Sequence, residues 1–199
     1  MVRPHNVPLP QRKQFKMELD RQCDEGIMRK LSPEEAENAE WGFPMFGVPK
    51  KNKREIRTVV DYRKLNRVIK RNPCYIEPMH DLIMSVGQWK WGSEFDLNMG
   101  YHAMKSCEKT RIFMRIVTIF GMCEPLVLAM GVAPASDAFQ RRTSNLVIDA
   151  KPKPPKCYVD DILAAIDHTH DEHIACIDNV FAILEDAGLQ INLKKSALC

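Results

Sequence analysis

The sequence is poor in several features that would assign a protein to a class at once. Its apolar runs, of which 126–130 and 162–166 are examples, last only a few residues, whereas a membrane-spanning helix needs about 20. Its N-terminus carries scattered Lys and Arg but no apolar stretch, so it does not resemble a secretory signal. The seven cysteines include no Cys-x-x-Cys pair, which argues against zinc or redox chemistry. We therefore expect an intracellular protein with reduced thiols and no membrane contact.

Internal repeats and a large net charge are also absent, so the chain has to be interpreted segment by segment. With 199 residues, 45% of them hydrophobic, it is long enough to bury a domain core. Apolar periodicity predicts a helix over 11–30 that ends near Gly26, and a hairpin with a charged tip from 43–48 and 56–60. The acidic, proline-containing residues 32–40 predict a loop. Further predicted elements are a short helix at 77–86 closed by Gly87 and two strands between 112 and 128 that flank Gly121.

The rest of the chain alternates strands and helices in an informative order. The predicted elements are a strand at 89–97, a helix at 135–150, two short strands within 157–166, a helix at 169–187 and a strand at 189–193. This series, β, α, β, β, α, β, is the split βαβ arrangement of the ferredoxin-like class. It predicts an α+β fold in which an antiparallel sheet packs on helices.

Three carboxylates are expected to meet at one edge of that sheet. The first strand runs up to Asp96, a helix returns, and the next strand runs up into a turn at Asp160 and Asp161. Adjacent aspartates among apolar neighbours are costly unless a cation compensates their charge. Oxygen ligands favour Mg²⁺ or Mn²⁺, and a pair of such ions is the standard device for in-line phosphoryl transfer. The alternative for the aspartate pair is an ordinary Asx turn at an exposed hairpin tip.

Six blocks of sequence, in order and at familiar spacing, resemble the reverse transcriptase domain of gypsy-type LTR retrotransposons. They are Val48-Pro-Lys-Lys51, Arg57 with Val60-Asp-Tyr-Arg-Lys-Leu-Asn66, Phe95-Asp-Leu-Asn-Met-Gly-Tyr-His102, Met130-Gly131 with Ala138-Phe-Gln140, Tyr158-Val-Asp-Asp161, and Ala187-Gly-Leu-Gln-Ile-Asn192 before Lys195. The resemblance covers nearly the whole chain and implies the fingers and palm of a right-hand polymerase, with a ferredoxin-like palm. It assigns 1–91 to the fingers with an N-terminal helix, 92–111 to the palm, 112–134 to a return through the fingers, and 135–199 to the palm with the Tyr-Val-Asp-Asp hairpin. The thumb and ribonuclease H domains of the family are then expected to be absent.

The resemblance implies an RNA-directed DNA polymerase that adds deoxynucleotides to a primer 3′-hydroxyl by a two-metal mechanism. Asp96 and Asp160 would be catalytic and hold two Mg²⁺ or Mn²⁺ ions, with Asp161 completing the catalytic, metal-binding cluster. The implied partners are an RNA or DNA template with primer, deoxynucleoside triphosphates, and the remainder of a retrotransposon polyprotein. The implied location is a cytoplasmic particle or the nucleus. Two alternatives are an inactive, truncated remnant that only binds nucleic acid, and a general two-metal nuclease.

The same resemblance assigns a nucleotide-binding site. Lys50 and Arg57 match the fingers residues that contact the incoming triphosphate, Arg57 through its planar guanidinium, and Lys51 competes with Lys50 for that role. Tyr101 matches the steric gate, whose ring excludes a ribose 2′-hydroxyl. The alternative for the basic residues is a solvated hairpin tip, and the alternative for Tyr101 is a core position with a bonded hydroxyl.

Some positions depart from the family pattern. Met130, assigned with Gly131 to the nucleotide site, stands where relatives carry Gln or Phe, which alters the expected contacts. Pro125 lies in a stretch that relatives keep as an uninterrupted strand, and 133–137 matches the family's turn only loosely. Lys195 matches a lysine proposed to act as general acid toward the pyrophosphate, and the alternative for it is a surface lysine.

Two further features are given mainly structural interpretations. The histidine-rich segment 167–173 has some likeness to a zinc site, but a helix capped by Thr169, with acidic residues in its first turn, is favoured. Trp89 and Trp91 alternate in a predicted strand, which favours packing in the core over stacking on a template.

The modest net charge of +3 is a cancellation between two segments. Residues 49–72 hold ten Lys or Arg against two acids, whereas 157–187 hold eight Asp or Glu and no Lys or Arg. The basic segment lies in the expected fingers, where phosphates would arrive, and the acidic one includes the aspartate hairpin. This segregation favours a nucleic-acid enzyme.

Overall fold

The computed structural model describes residues 3–49 and 55–199. Its helices are α1 (Arg12–Asp24), α2 (Pro33–Glu37), α3 (Arg63–Asn66), α4 (Met79–Val86), α5 (Glu108–Arg111), α6 (Ala133–Val147) and α7 (His170–Asp186), with short 3-10 helices at Leu9–Gln11, Gly100–Ala103 and Ile112–Met114. Its strands are β1 (Met28–Lys30), β2 (Phe43–Pro49), β3 (Ile56–Val60), β4 (Trp91–Asn98), β5 (Ile116–Thr118), β6 (Gly121–Pro125), β7 (Lys156–Tyr158), β8 (Asp161–Ile166) and β9 (Gln190–Ile191). The chain divides into two compact units, Met1–Lys70 with Met104–Val132, and Arg71–Ala103 with Ala133–Cys199.

The first unit is built on a sheet with the strand order β1-β6-β5-β2-β3. The pairing of β2 with β5 is parallel, and the other neighbours are antiparallel. Phe15 and Leu19 of α1 are buried in a core cluster that includes Met45 of β2 and Ile116 of β5. The predicted apolar stripe of α1 therefore packs this helix into the core of the unit.

Helix α1 ends earlier than the stripe predicts. Gly26 has a φ of +69°, a conformation that glycine adopts without steric cost, and the N–H of Ile27 donates to the carbonyl of Gln22 at 2.9 Å. This Schellman closure confirms the predicted glycine cap. It also places Ile27 beyond the helix, where it is buried just before β1.

The hairpin of β2 and β3 is confirmed, with Met45 opposite Val60 and Pro49 opposite Ile56. Its tip, including Lys50 and Lys51, lies outside the described residues. The expected loop at 32–40 is wrong in part because α2 forms there. Ser32 accepts from the N–H of Glu35, and the Glu35 carboxylate accepts from the N–H of Ser32, which is a capping box.

The second unit contains a sheet with the strand order β7-β8-β4-β9, in which every pairing is antiparallel. In chain order, with α6 and α7, its elements are β4, α6, β7, β8, α7 and β9, so the predicted series and the α+β class are confirmed. Phe95 of β4 is fully buried and meets the ring of Phe181 of α7 at 5.1 Å. This contact fixes α7 against the sheet and leaves the opposite face of β4 for polar side chains.

The compact units divide at different positions from those that the sequence suggests. The segment 71–91, expected to belong with the N-terminal residues, lies in the second unit. Helix α4 contacts β7 there, and the ammonium of Lys153 donates to the carbonyl of Val86 at 3.1 Å. Among the described residues, no helix is both long and apolar enough to cross a membrane.

Candidate active site

The register of the second sheet brings two of the three predicted carboxylates together. Asp96 on β4 lies directly opposite Asp161 on β8, and Phe95 lies opposite Ile162. Side chains that are directly opposite across antiparallel strands point to the same side, with Cβ atoms about 4.5–5.5 Å apart. Because Phe95 and Ile162 are fully buried, Asp96 and Asp161 share the other face of the sheet.

The third carboxylate, Asp160, sits on a tight turn between β7 and β8. Tyr158 pairs with Asp161, so Val159 and Asp160 alone form the connection. Val159 has a φ of +55°, which is unfavourable for a β-branched residue. The carbonyl of Asp160 accepts from the N–H of Leu97 at 2.9 Å, so the turn is also tied to β4.

The turn is held from α6 by a residue whose role the sequence did not indicate. The Gln140 side-chain oxygen accepts from the N–H of Val159 at 2.6 Å, and its amide nitrogen donates to the carbonyl of Cys157 at 2.9 Å. Gln140 is 5% exposed, so these bonds are shielded from water. The one feature of the sequence that points to Gln140 is its position in the block Ala138-Phe-Gln140, which resembles the family.

The negative charge of the aspartate cluster is only partly compensated within the described residues. Burial raises the pKa of Asp160, and the charges of Asp161 and Asp96 raise it further, while Lys195 acts in the opposite direction. The Oδ1 atom of Asp160 is buried and has no hydrogen-bond partner within the described part of the chain. A buried carboxylate oxygen of this kind suits a bound cation.

Lys195 lies at the same cluster. Its ammonium donates to both oxygens of Asp96, at 3.0 Å to Oδ2 and 3.2 Å to Oδ1. Across 3–49 and 55–199, no group of three or more His, Cys, Asp or Glu side chains is arranged as a ready metal site. The backbone therefore brings the carboxylates together, but their side chains do not form a closed ligand set.

Tyr101 follows β4 in the same unit and is held by two contacts. Its ring stacks on Phe139 of α6 with centroids 4.6 Å apart and an interplanar angle of 13°. Its hydroxyl donates to the hydroxyl of Ser136 at 3.2 Å. The close approach also involves Gly100, where a Cβ would meet the Phe139 ring at 2.5 Å. The ring of Tyr101 therefore has a fixed position.

The other predicted nucleotide-binding residues lie in the first unit. Arg57 is exposed on β3, opposite Val48, and has no carboxylate partner among the residues that the structure describes. Met130 is 54% exposed, and Gly131 has a φ of +89°, a conformation that side chains disfavour. Lys50 lies outside the described residues.

The first unit also contains an open cavity of about 570 Å³, whose lining includes Val59, Tyr62 and Gly131. The ring of His5 meets that of Phe46 there, edge to face at 5.2 Å. The cavity is lined by aromatic residues and by Val59 and Val60 of β3, the strand that carries Arg57. No sequence pattern predicts that residues as early as His5 line this cavity.

The histidine-rich segment forms the predicted helix start. Thr169 accepts from the N–H of Glu172, and the Glu172 carboxylate accepts from the N–H of Thr169, which confirms the cap. The ring of His170 meets Trp91 at 4.8 Å, and the Nε2 atom of His173 lies 2.9 Å from the hydroxyl of Ser93. These contacts support the structural interpretation. Trp91 is partly buried, whereas Trp89 is 51% exposed.

Comparison with protein families gives one match over most of the chain. The model described as reverse transcriptase (RNA-dependent DNA polymerase) matches residues 48–199. The retrovirus-related Pol polyprotein from transposon opus of Drosophila melanogaster is 29% identical over 193 residues, covering 95% of this chain and 18% of the relative. The transposon Tf2-3 polyprotein of Schizosaccharomyces pombe is 30% identical over 192 residues, covering 96% and 14%. The chain thus spans less than a fifth of the length of these relatives.

Solved structures show the same fold. The foamy viral protease-reverse transcriptase in complex with RNA/DNA hybrid superposes with a TM-score of 0.86 at 23% identity, covering 99% of this chain and 25% of that one. The same viral protein in complex with dsDNA gives 0.85 at 22% identity, covering 100% and 40%. The likeness concerns the fold, and it agrees with the α+β fingers-and-palm architecture expected from the sequence.

Proposed function

Because the chain belongs to the reverse transcriptase (RNA-dependent DNA polymerase) family, we propose that it forms the fingers and palm of a reverse transcriptase from a gypsy-type LTR retrotransposon. The first compact unit would be the fingers and the second the palm. The observation that carries the proposal is the carboxylate cluster on the second sheet, where Asp96 faces Asp161 and Asp160 occupies the adjoining turn. The proposed reaction is template-directed addition of deoxynucleotides to a primer 3′-hydroxyl.

The donor chemistry of the cluster supports the binding of a pair of divalent cations. All three side chains offer carboxylate oxygens, which Mg²⁺ and Mn²⁺ prefer, and one Asp160 oxygen is buried without a hydrogen-bond partner in the described residues. Asp96 and Asp160 would hold both ions, with Asp161 completing the cluster. When bound, the ions supply the positive charge that lowers the pKa of the 3′-hydroxyl and neutralises the triphosphate.

The remaining residues of the second unit would orient the reactants and move one proton. The 3′-oxygen would attack the α-phosphorus while its proton passes to solvent water, and the bond to the pyrophosphate would break. Lys195, whose ammonium already lies at the cluster, would donate a proton to the departing pyrophosphate as general acid. The stacked ring of Tyr101 would exclude a ribose 2′-hydroxyl, since Phe139 and Ser136 fix its position.

The first unit would bind the triphosphate and the template. Arg57 is exposed and free of a carboxylate partner in the described residues, so its planar guanidinium is available for a phosphate. Lys50, which follows β2, is proposed for the same role. Met130 and Gly131 would contact the nucleotide, and the position of Gly131 on the cavity supports this. Template affinity would depend on Lys and Arg contacts to phosphates and therefore weaken steeply with salt.

Primer extension on an RNA template, with Mg²⁺ or Mn²⁺ and deoxynucleoside triphosphates, tests the proposal. We expect incorporation by the wild type and its loss in Asp160→Asn. The matched control is Asp178→Asn, which removes an exposed carboxylate of α7 and should leave extension unchanged. A Tyr101→Ala variant should incorporate ribonucleotides that the wild type rejects.

Two outcomes would replace the proposal. Salt-sensitive nucleic-acid binding without incorporation at any metal concentration would indicate a remnant that only binds nucleic acid. Metal-dependent strand cleavage without added nucleotide would indicate a nuclease. The binding and cleavage assays use the same protein preparations as primer extension. One series of measurements therefore distinguishes a polymerase, a nucleic-acid-binding remnant and a nuclease.

A further inference from the structure

Lys195 and the proposed cations share one carboxylate. The Lys195 ammonium donates to both oxygens of Asp96, whose side chain is only 18% exposed. Asp96 is also one of the two aspartates proposed to hold the ions. An ammonium that donates to both oxygens of this carboxylate places a positive charge within hydrogen-bond distance of each atom that a divalent cation would use.

Lys195 is held at this position by the backbone that surrounds it. The N–H of Asn192 donates to the carbonyl of Asp96 at 2.8 Å, and the N–H of Asp96 donates to the hydroxyl of Ser196 at 3.1 Å. Beyond these, Ala197 exchanges two backbone hydrogen bonds with Glu94, at 2.8 and 2.9 Å. The segment 192–197 is therefore fastened along β4 on both sides of Lys195. The ion pair follows from this attachment.

We propose that Lys195 and a divalent cation compete for Asp96, so that cation binding releases the Lys195 ammonium from the carboxylate. The inference rests on the proposed function, because that function places a cation at Asp96. An ammonium and a divalent cation on the same carboxylate repel each other at a few ångströms. One of them has to leave, and the lysine, on a flexible four-carbon stem that is 65% exposed, is the group that can move.

The exchange gives the site an order of events. Before a cation binds, Lys195 reduces the repulsion among Asp96, Asp160 and Asp161. After the cation binds, the freed ammonium remains beside the cluster through the attachment of 192–197 and is available to the pyrophosphate. Lys195 thus acts as a positioning residue for Asp96 in the first step and as the proposed acid in the second.

Mn²⁺ affinity, measured from the electron paramagnetic resonance signal of the free ion, tests the competition. We expect Lys195→Gln to bind Mn²⁺ about twofold to fivefold more tightly than the wild type, the range that an exposed ion pair is worth. The matched control is Lys194→Gln, which removes the same charge from the neighbouring residue and should change the affinity much less. In an Asp96→Asn background, Lys195→Gln should have a much smaller effect on the remaining affinity, because only the longer-range influence of Lys195 on Asp160 is left.

Three results would overturn the competition. They are an unchanged or weaker affinity in Lys195→Gln, an equal gain in Lys194→Gln, and a gain that is undiminished in the Asp96→Asn background. Failure of the proposed function has a different signature, which is Asp96-dependent Mn²⁺ binding without primer extension. The affinity measurement and the extension assay therefore fail independently.

Discussion

Glu124 in the first unit and Asp160 in the second both hold carboxylate oxygens shielded from water, yet their surroundings are opposite. Arg29 donates to Glu124 Oε1 from Nε at 3.2 Å and from Nη2 at 3.1 Å, and Arg115 donates to Oε2 at 3.2 Å. Asp160 instead has two like charges, Asp161 and Asp96, and one opposite charge, Lys195, as neighbours, and it has a buried oxygen without a partner in the described chain. Glu124 is paired directly with two arginines, whereas Asp160 forms no ion pair among the described residues.

Under the proposed function, the difference separates a structural charge from a cation-binding one. A buried carboxylate that serves stability is paired and hydrogen-bonded, because an unpaired one is expensive. A site that binds a cation has to keep at least one carboxylate oxygen free of a protein partner, as at Asp160, and the fold has to supply the free energy that holds the carboxylates together. Two non-glycine residues near the cluster have positive φ angles, which cost free energy. Val159 directly precedes Asp160, and Met99 directly follows β4.

The largest expected effect is that of Asp160→Asn. We expect primer extension to fall by about 1000-fold or more, because the variant removes a charge placed where a cation is needed. Folding stability should stay constant or rise by up to about 1 kcal/mol, since repulsion with Asp161 and Asp96 is relieved. Urea unfolding measures the second quantity. Loss of activity together with loss of stability would mean that Asp160, like Glu124, stabilises the fold.

Glu124→Gln should show the reverse pattern. Removing the charge leaves Arg115, whose side chain is 14% exposed, without its anionic partner, and should cost about 3 kcal/mol of folding stability. The control is Glu37→Gln, an exposed position on α2 where we expect a change within about 0.5 kcal/mol. Urea unfolding measures both. A neutral Glu124→Gln would mean that the two arginines are adequately solvated and that pairing does not distinguish the two units.

Much of this contrast could be predicted from the sequence. The βαββαβ series follows from apolar periodicity, and strand direction alone then brings the ends of two strands, and so Asp96 and Asp161, to one region. These features follow from the spacing of apolar residues along the chain, which can be recognised in the sequence without knowledge of tertiary contacts. The capping residues Thr169 and Gly26 are local in the same sense.

The rest depends on contacts between distant residues. The hydrogen bonds from Lys195 to Asp96 and between Gln140 and the β7–β8 turn form only after the helices and strands have packed. Helix α2 was missed because an acidic, proline-containing segment is equally typical of a loop, and only the reciprocal bonds of Ser32 and Glu35 select the helix. The roles of Tyr101, Arg57 and Lys50 remain predictions from the family resemblance.

Gln140→Met tests whether the strained hairpin is held by α6. The variant keeps the side-chain length but leaves the N–H of Val159 and the carbonyl of Cys157 without their partner, which should cost about 2 kcal/mol. We also expect weaker primer extension, because Asp160 adjoins the released turn. The control, Ser144→Ala, removes another partner of the same Gln140 amide, at 2.9 Å, without touching the hairpin. Equal losses in the two variants would show that Gln140 acts on α6 and not on the hairpin.

The smallest expected effect concerns Asp137, a paired carboxylate in the same unit as Asp160. Arg71 donates to it from Nε at 2.6 Å and from Nη2 at 3.0 Å, and the N–H of Cys74 donates at 3.0 Å. The Arg71 guanidinium, and then the Cys74 N–H, lower the pKa of Asp137 from 3.8 to about 2. Its folded pKa lies below its unfolded value, so the stabilisation is complete above the unfolded pKa and is lost as the pH falls toward the folded one.

We therefore expect Asp137→Asn to lower the free energy of unfolding by about 1.5 kcal/mol at pH 7, as for a hydrogen-bonded charged group. The difference from the wild type should shrink as the pH falls below about 4, because the Asp137 carboxyl of the unfolded chain then takes up a proton while the folded one stays charged until the pH approaches 2. Urea unfolding between pH 3 and 7 measures it, with Asp178→Asn as the exposed control. A difference that stays constant to pH 3 would show that Asp137 stabilises the unit through its shape and neutral hydrogen bonds, in which case charge pairing would not be what separates it from Asp160.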